Sequence, residues 1–323
     1  MKRSWRILCD FAPLRETSSP LVAIGFAASL LLSASNGAEV SSLEEVKQKT
    51  QTQLEEIAGH VQGVMGIVVE DLSGEHRFAV NENRGFAQAS AIKIPILMEL
   101  LKQAHEDKVD LEQMLWVEKK NQVAGSGILS EVGDRTTQMS VEDLAVLMVV
   151  LSDNTATNMI IDLVDKENVT ATMKSLGCEH TRLQRRMLDT AAAARGEDNL
   201  STPADAAKIL RLLHEGKFIN REVSDHALAI LRKEKPGDVK SGLPPGVPVA
   251  FKAGAVPGVT TEWAIVEFKG RPYVVVAMGG FGLGDEFRAA IRSVAKTSHH
   301  FFARISTATK HGAYIDSEQW KQR

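Results

Sequence analysis

At 323 residues, with 44% hydrophobic and 24% charged side chains, the chain can bury a large core, which excludes disorder as its resting state. A net charge of −3, with no basic block interleaved with aromatic residues, removes the electrostatic footprint of a nucleic-acid binder. A small-molecule or peptide partner is the class that remains.

The first 38 residues differ in composition from the rest. Lys2, Arg3, Arg6 and Arg15 precede an apolar stretch over 21–32, which is followed by the small residues of "SASNGA". This is the pattern of a secretory signal, so residues 1–38 are expected to be a signal peptide and the mature protein to be periplasmic or secreted. The stretch is too short for a comfortable membrane span; an uncleaved anchor is the competing reading, and the cleavage point stays open. Cys9 would leave with the signal, so Cys178 would stand alone and no internal disulfide could form. No cysteine follows the apolar run, which argues against a lipid-modified terminus.

Residues 42–60 place Leu43, Val46, Leu54 and Ile57 among alternating charges, a spacing that predicts an amphipathic helix. "GVMGIVVEDL", the turn chemistry of "SGEH", and "RFAVN" then read as a β-hairpin. About 150 residues with helical periodicity and almost no strand signal follow, including "SVEDLAVLMVVLSD", "TATNMIIDLVD" and "TPADAAKILRLLHEG", each opening on Ser or Thr with an acid close behind or on similar cap chemistry. Late in the chain "VPVAFKAG", "TEWAIVEFK" and "RPYVVVAMGG" read as three strands with short connections, hence antiparallel neighbours. A final amphipathic segment, "DEFRAAIRSVAKTSHHFFARIS", can lie beside the first helix across the sheet.

The expected fold is therefore mixed α/β (α+β): a five-stranded antiparallel sheet built from both chain ends, flanked by terminal helices, with an all-helical domain inserted in the middle. The expected division is residues 39–85 and 215–323 for the discontinuous α/β domain and 86–214 for the helical domain. Chemistry is expected in the cleft between them.

Three motifs could carry that chemistry. In "SAIKIP" a helix would place Ser90 and Lys93 one turn apart, and a buried lysine with a depressed pKa is a base that can activate a serine. The bland alternative is a lysine that snorkels to the surface, and the same S-x-x-K spacing recurs at Ser293 and Lys296 in a helix that reads as structural. The setting separates them, because the helix after Ser90 is apolar nearly all round (Ile92, Ile94, Ile96, Leu97, Met98, Leu100). "SDN", Ser152 to Asn154, ends one apolar helix and precedes another, where an ordinary helix cap is the competing reading. Lys252, in "FKAG", interrupts an apolar strand, and Gly254 would permit close approach of a ligand to the strand backbone.

Taken in this order, S-x-x-K, S-D-N and K-x-G resemble the active-site set of class A β-lactamases and related penicillin-interacting serine hydrolases. The likeness covers roughly residues 43–305. It implies an exported serine β-lactamase with Ser90 as nucleophile and Lys93 as a proton acceptor. Ser152 would pass a proton to the departing nitrogen, Asn154 would hold the substrate amide, and Lys252 would attract the substrate carboxylate. Gly254 lies on the substrate-binding strand, and the backbone N–H groups of Ser90 and Ala255 would form the oxyanion hole. No cofactor or metal is implied, and a monomer acting on a β-lactam or a peptidoglycan-derived substrate is expected.

The chain departs from the family pattern in three places. Ala253 lacks the hydroxyl of K-[TS]-G, while a competing "KSG" at Lys240 to Gly242 falls in a loop before the strand. Met187 stands where the family carries the Glu that activates the deacylating water; Asp189 is the nearest carboxylate, with Glu197 and Asp198 as further alternatives and an ion pair with Arg185 or Arg186 as the bland one. No arginine follows the strand motif, leaving Thr260 or Thr261 as neutral donors. Acylation thus looks fully equipped and deacylation does not, which keeps open a D,D-peptidase, an esterase, a slowly deacylating penicillin-binding protein or a non-catalytic sensor. "GGFGLG" (279–284) fits neither nucleotide-loop pattern, His299 and His300 lack a partner at ligand spacing, and no G-x-S-x-G elbow exists.

Overall fold

The computed structural model describes residues 42–309 and 311–314; the expected signal segment lies outside them. Chain order begins with α1 (Ser42–His60), the hairpin β1 (Val64–Asp71) and β2 (Arg77–Val80), the two-residue strand β3 (Phe86–Ala87), a 3₁₀ turn (Ala89–Ile92) and α2 (Lys93–His105). The middle carries β4 (Met114–Trp116), β5 (Gln138–Ser140), α3 (Val141–Val150), α4 (Asn154–Val164), α5 (Lys166–Ser175), α6 (Thr190–Ala194) and β6 (Leu200–Ser201). Then come α7 (Pro203–Glu215), α8 (Arg221–Arg232), α9 (Asp238–Ser241), the strands β7 (Val249–Val256), β8 (Val259–Val266) and β9 (Tyr273–Gly280), and α10 (Gly284–Thr307).

The five long strands form one antiparallel sheet in the order β2-β1-β9-β8-β7. Its closure joins the two ends of the described chain, since β1 pairs with β9 from Val64 opposite Gly280 to Asp71 opposite Tyr273. Alternation along each strand splits the core in two. Val68, Trp263, Val276 and Met278 face the helices of the middle segment, whereas Ile67, Val69, Val275 and Phe302 belong to the cluster under α1 and α10. Both sheet faces are covered, and the amphipathic terminal helices lie where their apolar stripes require.

Short polar side chains start several of the helices by accepting their otherwise orphaned N–H groups. Ser140 accepts from Asp143 N at 3.0 Å, Thr202 from Asp205 N at 3.1 Å ahead of Pro203, and Asn220 from Val223 N at 2.9 Å. Gly216, at φ 69°, ends α7 in the left-handed conformation. The segment also contains two small strand pairs, β3 with β6 and β4 with β5. Runs of two and three residues are too short to display a period of two, so periodicity passes over them.

The centre is α2. Ile94, Ile96, Leu97, Met98 and Leu100 are each fully buried, and Pro95 sits in the first turn, where its missing N–H costs the helix nothing. The helix begins at Lys93 rather than at Ser90, which lies in the preceding 3₁₀ turn.

Among the described residues no helix is long and apolar enough to cross a membrane.

Candidate active site

Ser90 is held by the residues before it. Gln88, fully buried, donates through Nε2 to Phe86 O at 2.8 Å, while its Oε1 accepts from Trp263 Nε1 at 3.0 Å and its carbonyl from Thr261 Oγ1 at 2.9 Å. These bonds tie the 3₁₀ turn to the sheet, and Ala89, at φ 43°, enters the turn through the left-handed region. Gly254 completes the junction. A Cβ on it would lie 2.5 Å from Ser90 N, 2.7 Å from Ala91 N and 2.8 Å from Gln88 O, all backbone atoms. The close approach that this glycine permits includes that of the serine's own turn.

Lys93 is 0% exposed and its Nζ faces three acceptors: Ser152 O at 2.7 Å, Asn154 Oδ1 at 3.0 Å and Ser152 Oγ at 3.2 Å. It makes no hydrogen bond to Ser90 Oγ. Burial first, and then the Lys252 ammonium, hold its pKa well below the ordinary lysine value, with Asp153 opposing them. An uncharged amine has two N–H groups and one lone pair, so it can donate to Ser152 O and Asn154 Oδ1 and accept from the Ser152 hydroxyl.

From the other side Lys252, 4% exposed, donates to Ser152 Oγ at 3.1 Å and to Ala253 O at 2.7 Å. Ser152 Oγ thus bridges two buried lysines, and donor direction can run from Lys252 through Ser152 to Lys93. Ser152 has φ 54°, a conformation a serine adopts only when its surroundings enforce it. Asp153 does so. Its buried carboxylate accepts from Ile128 N at 2.7 Å, Leu129 N at 3.0 Å and Ala156 N at 2.9 Å, capping α4 and pinning the 126–129 loop. Asp153 is the helix cap that the bland alternative describes, while its two neighbours turn toward Lys93.

A cavity of about 260 Å³ runs along the free edge of β7. Ser90, Ser152, Lys252, Gly254 and Ala255 all line it. Lys93 and Asn154 stand behind that wall. A nucleophilic hydroxyl, a buried amine and a second hydroxyl between two amines can move a proton off Ser90 and deliver one to a leaving group.

Asp189 is not brought to this group. It is exposed, its Oδ1 accepts from Ala192 N at 2.9 Å as the cap of α6, and it does not line the cavity. Neither arginine offered as its partner takes it: Arg185 pairs with Asp198 at 3.2 Å and Arg186 with Asp162 at 3.2 Å. Met187 is 7% exposed, and Asn158 brackets its backbone, accepting from Met187 N at 2.8 Å and donating to Met187 O at 3.3 Å. Of the two threonines, Thr261 is engaged with Gln88, whereas Thr260 Oγ1 is buried without a partner and Thr260 lines the cavity.

Sequence reading also passed over Arg288, Lys235 and Glu262 on the cavity wall. Arg288 looks like any charge on an amphipathic helix. Glu262 carries a usable signal, being one acid in the apolar strand "TTEWAIV", as Lys252 is one base in its own.

Elsewhere, Asp71, Glu75 and His76 cluster as three potential metal donors. Arg271 already pairs with Asp71 at 2.9 Å and Glu75 at 3.2 Å, filling the cluster with its own cation.

Residues 49–302 match the family described as the beta-lactamase enzyme family. The chain is 25% identical over 246 residues to an imipenem-hydrolyzing beta-lactamase of Enterobacter cloacae, covering 74% of this chain and 84% of that protein. Among solved structures it is similar to an ancestral class A beta-lactamase, at 27% identity and TM-score 0.71 over 77% of this chain and 98% of the other. It is also similar to the structure of PBP-A, at 25% identity and TM-score 0.73 over 79% and 96% of the two chains.

Proposed function

Because the chain belongs to the beta-lactamase enzyme family, we propose that it is a serine β-lactamase of the class A type, opening the β-lactam amide through an acyl-enzyme on Ser90. The observation that carries this reading is the Ser152 hydroxyl bridging two buried lysines at the wall of the cavity that holds Ser90. Ser90 Oγ attacks the carbonyl carbon and its proton passes to the neutral Lys93 amine; hydrogen bonds of this kind are often long before substrate tightens them. The C–N bond breaks, and the ring nitrogen takes the Ser152 proton, which the lysines replace. Backbone N–H groups of Ser90 and Ala255 meet the developing oxyanion, and Asn154 holds the substrate amide. Lys252 draws the substrate carboxylate, with the unpartnered Thr260 hydroxyl and Arg288 supplying the donors that Ala253 lacks.

The same reading takes residues 1–38 as an export signal and divides the rest into the α/β part (39–85 and 215–323) and the helical part (86–214).

Freeing Ser90 needs a base for water. Asp189 is the carboxylate nearest in sequence, yet it caps α6 outside the cavity, and this favours a second reading in which the acyl-enzyme persists as in a penicillin-binding protein. Incubation with a penicillin, following intact mass and substrate loss together, tests both. Rapid turnover is expected of the first reading and a lasting adduct of the second; absence of both adduct and substrate loss removes Ser90, as does an adduct or a turnover that survives Ser90→Ala. Asp189→Asn leaves adduct decay unchanged if Asp189 takes no part. Met187→Glu is expected to speed that decay by about 10²-fold or more if a base at this position is what is missing.

A further inference from the structure

Glu262 is 1% exposed, yet it lines the same cavity as Lys252 and Lys235. The β7–β8 register pairs it with Ala253, so its side chain leaves the sheet on the face toward α9 while that of Lys252 leaves on the face toward Ser152, and the two approach the cavity from opposite faces. Its carboxylate accepts from Asp238 N at 2.8 Å and Val239 N at 3.1 Å, the first two residues of α9. Gly237 keeps this contact close, because a Cβ there would lie 2.8 Å from Glu262 Oε1 and 2.3 Å from the Phe251 ring. On the same wall Lys235, 7% exposed, donates to Leu231 O at 2.5 Å and Lys233 O at 2.9 Å, with its Nζ 4.2 Å from the centroid of the Phe251 ring. A buried acid and a buried base therefore line the same cavity wall as Lys252, and among the described residues no salt bridge joins Glu262 to either lysine.

Burial pushes Glu262 up to about 7, with backbone N–H bonds and Lys252 opposing. Burial and then Lys235 push Lys252 down to about 7, with Glu262 opposing; burial pushes Lys235 down to about 8. The other charged groups that face this wall are already engaged. Asp238 pairs with Arg292 of α10, Lys240 with Glu234, and Arg288 with Asp285; Lys93 faces Ser152 from the helical side, and Asp153 caps α4.

We propose that Glu262 and Lys235 are positioning residues, opposed buried charges that set whether Lys252 is an ammonium and thus how firmly the cavity holds an anionic substrate group. The inference rests on the reading of Ser90 as the acylated residue, with the Lys252 ammonium needed to draw the substrate. The sign follows from charge. Removing the Glu262 carboxylate withdraws support for the ammonium, so Lys252 loses its proton at lower pH; removing the Lys235 charge does the reverse.

The test is the pH profile of Ser90 acylation by a penicillin, read as the rate of adduct formation by intact mass where the adduct lasts and as kcat/KM for substrate loss where it does not. In Glu262→Gln the alkaline limb is expected to move down by about one pH unit, and in Lys235→Met up by about one. At a fixed pH on that limb this is roughly a tenfold loss and a tenfold gain. Adduct formation with limbs that stay put, or that move in the same direction, overturns this inference alone, even if the thermal midpoint of Glu262→Gln falls through its lost backbone contact. If Glu262→Gln does not fold, the direction of the Lys235→Met limb decides. Absence of both adduct and substrate loss with the parent chain overturns the Ser90 reading and this inference with it.

Discussion

Lys93→Met is expected to slow acylation of Ser90 by about 10²- to 10⁴-fold, the range that a positioned proton acceptor supplies. Methionine fills a similar volume in the core without an amine. Stability should change little, since removing a buried, desolvated amine offsets the cost of leaving Ser152 O and Asn154 Oδ1 without their shared donor, while Ser152 Oγ keeps Lys252. What should change is the dependence on pH. The folded-state pKa of Lys93 lies well below its ordinary value, so between the two the unfolded chain binds more protons and stability rises with pH across that window. The substitution removes that slope together with the acidic limb of acylation. Adduct formation and urea midpoints measured from pH 5 to 10 check both. A parent-like acylation rate would exclude Lys93 as the acceptor.

Gly254→Ala is expected to cost about 1–3 kcal/mol of stability and about 10²-fold in acylation. The added carbon would meet Ser90 N, Ala91 N and Gln88 O at 2.5–2.8 Å, and none of these is a flexible side-chain tip that can step aside. Either β7 or the 3₁₀ turn must give. Both carry groups that the proposed mechanism brings to the reacting centre, so a shift of the order of an ångström would separate the proposed nucleophile from its oxyanion donors. Denaturation midpoints and adduct kinetics measured on one preparation distinguish the two losses, and a variant that matches the parent in both would show that the turn yields freely.

Most of the architecture can be read from periodicity. The helix over 42–60, the hairpin after it and the three late strands all appear where alternation of two or a spacing of three to four requires them. Ser90, Lys93 and Lys252 were legible for another reason: a polar group inside an apolar run needs a partner. Which partner was not legible. Lys93 turns to Ser152 and Asn154, about sixty positions away, and only the packing of α2 against α4 selects them over Ser90. Asp189 shows the converse. Spacing along the loop brings it near Met187, but the φ of 59° at Leu188 and the start of α6 turn it to the helix N-terminus, and a separation of two positions in the sequence cannot reveal such a turn. Glu262 carried the same signal as Lys252, an ionisable group within a hydrophobic strand.

The pairing of β1 with β9 also bears on how the chain reaches this state. The β1–β2 hairpin forms locally, but β1 gains its inner neighbour only when residues 273–280 have been made and brought back across some two hundred intervening positions. Loop closure on that scale comes before the contacts that reward it, so folding is expected to be slow, with the apolar faces of the hairpin uncovered until the sheet closes. The helical segment between can collapse early around α2, whereas the junction of Gly254 with the Ser90 turn can form only with the last strands. In the proposed mechanism competence for acylation therefore arrives with completion of the sheet, and a chain truncated before β9 should keep much of its helix content and none of its reactivity toward a penicillin.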